Sequence, residues 1–118
     1  MNGKFDLNKK FDAVRIEDRF ISEITLAELK FGVANSKSPE KNLLTLADFL
    51  TGVTVLPIFP ALDFYAKEKA RLRKAGTPVD DFDLLIGATA VTHGLMMVTS
   101  NTDHFKRING IELEDWTK

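Results

Sequence analysis

The chain contains no cysteine, which excludes disulfides, thiolate metal ligation and cysteine nucleophiles together. That fits a reducing compartment, and a soluble cytoplasmic protein is the natural expectation. An excess of positive charge is also missing: 16 Lys and Arg against 17 Asp and Glu leave a net charge of −1. With no global attraction to nucleic acid, any RNA or DNA binding requires a local basic patch. No apolar run approaches the ~20 residues needed to span a bilayer. The opening MNGKFDLNKK has no apolar segment behind its charges and so does not read as a signal peptide. No repeat, low-complexity tract or linker divides residues 1–118, which read as one domain. A serine–histidine–acid order, a glycine-rich phosphate loop and a P-loop lysine are all absent, so side-chain nucleophilic catalysis is not expected.

What is present is an ordinary globular balance, 44% hydrophobic and 28% charged, in a chain just long enough for a modest core. A short helix is expected over Leu7–Val14, a strand over Arg19–Ser22, and a helix over Thr25–Ala34 closed by Asn35 and Ser36. Pro39 suits the first turn of another helix, with Leu43, Leu44, Leu46, Ala47 and Leu50 facing inward and Gly52 as its stop. The β-branched run Val53–Ile58 reads as a strand, Pro60–Ala75 as a charged helix ended by Gly76, and Phe82–His93 as a helix ended by Gly94. Leu95–Ser100 is apolar at nearly every position, the pattern of a central strand buried on both faces, and Ile111–Leu113 suits a last strand. Strands alternating with helices predict a three-layer α/β fold around a parallel sheet. Ligands of such sheets gather at the carboxyl ends of the strands, where Ser22 and Ser100 fall.

Three acidic groups beside apolar runs carry the chemistry: Glu28, Asp83 and Asp103. Carboxylates fixed on rigid elements and converging on one point suit a hard oxygen-seeking cation such as Mg²⁺. Each has a plainer account. Glu28 stands three residues after Thr25, the spacing of a capping box, although its neighbours Leu26, Ala27, Leu29 and Phe31 are apolar. Of Asp80, Asp81 and Asp83, at least one caps a helix; Asp80 or Asp81 is better placed to do so, leaving Asp83 for a site. Asn101 and Asp103 are turn residues as well as oxygen donors. His93 suits a helix C-terminus, and a lone His104 makes no zinc centre. Lys67, Lys69, Arg71, Arg73 and Lys74 read as a solvated helix face, whereas Lys106 and Arg107 follow the third acidic group and suit a phosphate backbone.

The blocks ISEITLAELKFGVANS and GTPVDDFDLLIGATAVTHGLMMVTSNTDHFKRINGIELEDW, and the spacing between them, resemble the PIN-domain ribonucleases, specifically the VapC toxins of toxin–antitoxin pairs. The resemblance covers almost the whole chain. It implies a parallel sheet flanked by helices and an endoribonuclease that uses Mg²⁺, or Mn²⁺, held by carboxylates. By position it assigns Glu28 and Asp83 to the metal site, and Asn101 or Asp103 to its last segment, with Asp103 as a further ligand. It also implies an RNA substrate, a VapB-like antitoxin and a homodimer. The family's opening strand, with its Asp-Thr-Asn-like motif, has no counterpart before Phe5, and Asp6 matches the segment after it. The expectation is therefore a PIN-like domain lacking its first strand. The alternative is an impaired relative that keeps only an antitoxin-binding or structural role.

Overall fold

A computed structural model describes residues 14–99 and 102–115. The helix expected from Leu7 falls almost wholly outside them, as do Asp6, Ser100 and Asn101. A 3₁₀ turn at Ile16–Asp18 leads into β1 (Phe20–Ser22), followed by the helices α1 (Glu23–Ala34) and α2 (Pro39–Leu50). Next come β2 (Thr54–Leu56), a second 3₁₀ turn at Phe59–Ala61, and helices α3 (Leu62–Lys74) and α4 (Asp81–Thr92). β3 (Met96–Val98), the short helix α5 (Thr102–Phe105) and β4 (Glu112–Glu114) complete the order.

The helix boundaries have local causes. Ser22 Oγ accepts from the Thr25 amide at 3.0 Å and starts α1. Pro39 opens α2, where its missing N–H costs nothing. Asp80 caps α4 by accepting from the Phe82 amide at 3.2 Å. α3 and α4 end alike: Gly76 and Gly94 take φ of 73° and 66°. The Thr77 and Leu95 amides then reach back to the carbonyls of Leu72 and Ala90 at 3.0 and 2.9 Å. Gly52 follows α2 without adopting a left-handed φ, so it is not the expected C-cap glycine.

All strand pairing among the described residues is parallel, as an α/β fold predicts. β1 pairs with β2, Ile21 opposite Val55, and β3 pairs with β4, Met97 opposite Leu113. The sequence predicts a parallel sheet without its first, central strand; the described residues accordingly form two parallel two-stranded ladders. β3 is correspondingly not buried on both faces, since Met96 and Val98 are 53% and 41% exposed. The alternation of side chains explains this: Met97 and Leu113 face the core, while Met96 and Val98 occupy the opposite face.

The core is built from Leu72, Val79, Leu84, Phe105 and Ile108, with Phe64, Tyr65, Val91 and Ile111 around it. Burying a side chain the size of Leu84 contributes about 1.5–3 kcal/mol, so α3, α4 and the 105–111 segment hold one another in place. α2 departs from its predicted face. Leu46 is buried and Leu50 half-buried, but Leu43, Leu44 and Ala47 are exposed. α2 packs chiefly on α1, and one neighbour covers only the narrow stripe Asn42, Leu46 and Leu50. α1 likewise has no fully buried residue, so Glu28 is not enclosed by the apolar surroundings its sequence suggests.

Candidate functional site

The three acids at the start of α4 do three different things. Asp80 is the cap. The Asp81 carboxylate accepts from the Tyr65 hydroxyl at 2.9 Å and pairs with Lys69 Nζ, also at 2.9 Å, which ties α4 to α3. Lys69, and after it Tyr65, hold the Asp81 carboxyl below its ordinary value, and Asp81 raises Lys69 in return. Asp83 is left over from both tasks. It stands in the first turn of α4, where the helix dipole stabilises a carboxylate, and its side chain is 32% exposed. His104 Nδ1 of α5 lies 3.2 Å from Asp83 Oδ2.

His104 is brought there by the packing of its neighbours. Phe105 and Ile108 are 5% and 2% exposed and lie against Gly87. Gly87 follows Asp83 by four residues and so shares its face of α4. A Cβ at Gly87 would stand 2.5 Å from Ile108 Cδ1 and 3.6 Å from Phe105 Cδ1. The absent side chain lets Ile108, three residues beyond α5, pack directly on α4, while Phe105 of α5 rests there in ordinary contact.

A second device fixes the segment beyond α5. Glu68, 4% exposed, accepts from Arg71 Nε and Nη2 at 2.7 and 2.8 Å and from the Asn109 amide at 2.9 Å. Arg71 Nη2 also donates to the Arg107 carbonyl at 2.7 Å, and Arg107 Nη1 donates to the Pro78 carbonyl at 3.3 Å. The Arg71 guanidinium holds the Glu68 carboxyl below the usual range against the opposing effect of burial. Part of the α3 face expected to be solvated is therefore internal structure: Arg71 and Lys69 are both engaged. Sequence reasoning missed Glu68. Its only local signal is the i,i+3 spacing to Arg71, which surface pairs share.

Glu28 lies in the second turn of α1 and is exposed. The residue that caps this helix is Ser22, so the capping-box account of Glu28 does not hold. Its helix packs against α4, the helix that carries Asp83. Glu23, unremarked in the sequence, accepts from the Ile58 amide at 2.8 Å and fastens α1 beyond the end of β2. The Asp103 side chain is 93% exposed and pairs with Lys106 Nζ at 3.2 Å. Asn101 lies outside the described residues. Lys106 and Arg107 are exposed, yet one is paired with Asp103 and the other with the Pro78 carbonyl. His93 ends α4, and its Nε2 is buried with no hydrogen-bond partner among the described residues. Among those residues, no three His, Asp or Glu side chains form a group able to hold a metal ion. Asp83 and Glu28 are nonetheless hard oxygen donors, and Mg²⁺ is commonly held by one or two carboxylates, with water and substrate phosphate completing its shell. Their chemistry fits that cation.

Residues 6–111 match the PIN domain model. The chain belongs to the PIN domain family. Within it, the likeness is to the VapC ribonucleases. The chain is 38% identical over 98 residues to the tRNA(fMet)-specific endonuclease VapC of Shigella flexneri, covering 82% of this chain and 74% of that protein. Its fold superposes on a chain of DNA-bound VapBC from Salmonella typhimurium with a TM-score of 0.88 and 36% identity, covering 94% and 84% of the two chains. VapBC-1 from nontypeable Haemophilus influenzae gives a TM-score of 0.86 at 30% identity, covering 96% and 86%.

Proposed function

We propose that this chain is the endoribonuclease toxin of a toxin–antitoxin pair, cleaving RNA phosphodiesters at a site centred on Asp83. The observation that carries the reading is the division of labour at the head of α4. Asp80 and Asp81 are consumed by capping and by Lys69, while Asp83 stays half-exposed at the positive end of the helix.

Asp83 and Glu28 would hold Mg²⁺, for which Mn²⁺ can substitute, with Asn101 or Asp103 contributing the last oxygen or orienting a water. Held there, such a cation would supply polarisation of the phosphate and a lowered pKa for an attacking water. The chain's own contribution is to fix the carboxylates. The capped first turn of α4 sets Asp83 in place, and the packing of α1 on α4 sets Glu28 on a neighbouring helix. A relative is named for tRNA(fMet), so initiator tRNA is the first substrate to assay.

The similar solved structures are of VapBC complexes, which supports a VapB-like antitoxin as partner. A second copy of the chain, forming a homodimer, belongs to the same reading. Phe31 and Leu44, 68% and 74% exposed on α1 and α2, offer apolar surface of the kind partners cover. None of the described helices is long and apolar enough to cross a membrane, in keeping with a cytoplasmic toxin.

The test is cleavage of tRNA by the purified chain with Mg²⁺, after EDTA, and after Mg²⁺ is restored. Loss and recovery of cleavage supports the reading, whereas cleavage that survives EDTA contradicts it. A folded chain that never cleaves but binds an antitoxin supports the alternative, a non-cutting interaction protein.

A further inference from the structure

We propose that His104 is a positioning residue for Asp83. Its Nδ1–H holds Oδ2 of that carboxylate and so fixes the orientation in which Asp83 would meet a cation. The inference rests on the reading of Asp83 as a metal ligand and adds a residue to it.

The two side chains come from different elements, α4 and α5, and meet at 3.2 Å with 32% and 26% of their surfaces exposed. An ionised carboxylate offers only lone pairs, so the ring nitrogen facing it must carry the proton. This is true of the neutral Nδ1–H ring and of the imidazolium alike, and the role therefore does not depend on titration. The contact is set by a rigid frame. The Phe105 ring, 5% exposed, lies 5.8 Å from the His104 ring at 57°. Gly87 admits Phe105 and Ile108 against α4. Beyond Ile108, buried Glu68 holds the Asn109 amide at 2.9 Å. A carboxylate held by one oxygen loses rotational freedom before the ligand arrives, so less entropy is lost on binding. Asp103, one residue away, is 93% exposed, and its pairing among the described residues is the local one with Lys106.

The competing account makes His104 a simple tie between α4 and α5. A tie affects the melting temperature; a positioning residue also affects the affinity of folded protein for metal. Mn²⁺ titration calorimetry on the full chain separates them, using wild type, His104→Ala and His104→Asn. Asparagine places an amide N–H near the position of Nδ1. If the alanine variant does not fold, His104→Leu, closer in volume, replaces it. The expected result is a loss of about tenfold or more in Mn²⁺ affinity for the alanine or leucine variant, with most of it regained in His104→Asn. Wild-type affinity in the alanine or leucine variant overturns the positioning role and leaves the metal reading intact. Failure of asparagine to restore affinity in a folded variant also overturns it. Absence of Mn²⁺ binding by the wild type overturns the reading of Asp83 and this inference with it.

Discussion

Two helix glycines make opposite predictions for the same substitution. Gly87 on α4 would place a Cβ 2.5 Å from Ile108 Cδ1, about 1 Å or more inside an ordinary carbon–carbon contact of roughly 3.5–4.0 Å. Ile108 is 2% exposed and belongs to the central core cluster, so its methyl has little room to retreat. Overpacking of this kind costs about 1–3 kcal/mol. Alanine in a helix interior recovers about 1 kcal/mol over glycine. Gly87→Ala should therefore destabilise by about 1 kcal/mol net. At Gly32 on α1 a Cβ would meet nothing within 4 Å, so Gly32→Ala should stabilise by about 0.5–1 kcal/mol. The two variants should differ by roughly 1.5–2 kcal/mol, or about 6–8 °C in Tm at some 4 °C per kcal/mol. Urea and thermal unfolding of both, beside wild type, measure the difference. Gly87→Ala melting at or above Gly32→Ala would refute the close approach of Ile108 to α4.

Other outcomes follow from the same contacts. Leu84→Ala empties a position of zero exposure and should cost about 2–5 kcal/mol by urea denaturation. Ser22→Ala removes the α1 cap and should cost about 1 kcal/mol, read the same way. Glu68 is held below its ordinary value of 4.5 in the fold. Its contribution is therefore fully present above the unfolded value and is lost as pH falls through the lower folded one. Glu68→Gln should lower stability by about 1–3 kcal/mol at neutral pH and flatten the fall in stability below about pH 4.5. An unchanged acid limb in unfolding curves from about pH 6 to about pH 3 would place the acid sensitivity elsewhere.

Local rules made much of the fold legible. Helix stops at Gly76 and Gly94, the proline start of α2 and the cap at Asp80 are decided within a few residues, and sequence spacing finds them. The strands are legible as apolar runs, but how many faces a run buries depends on partners that no local pattern records. Met96 and Val98 look like core and lie on an open face. Leu43 and Leu44 fail for the same reason, because a helix packed on one neighbour hides a narrower stripe than its composition suggests.

The site divides similarly. That one of the three acids would cap α4 and another be left for a site is readable from position in the first turn. That Asp81 would take Lys69, that Glu68 would be buried, and that Gly87 would admit Ile108 are contacts between segments distant in sequence. His104 could be placed near the site by its loop, but its approach to Asp83 depends on that distant packing.

The central claim is that Asp83 serves the chemistry of RNA cleavage and is not simply a third helix-capping acid. The most direct measurement is RNA cleavage in Mg²⁺ by wild type and Asp83→Asn, with their melting temperatures compared. Asparagine keeps the size and a hydrogen-bonding oxygen but removes the charge. The account predicts cleavage by wild type, abolished in Asp83→Asn with the fold retained; undiminished cleavage by the folded variant would contradict it.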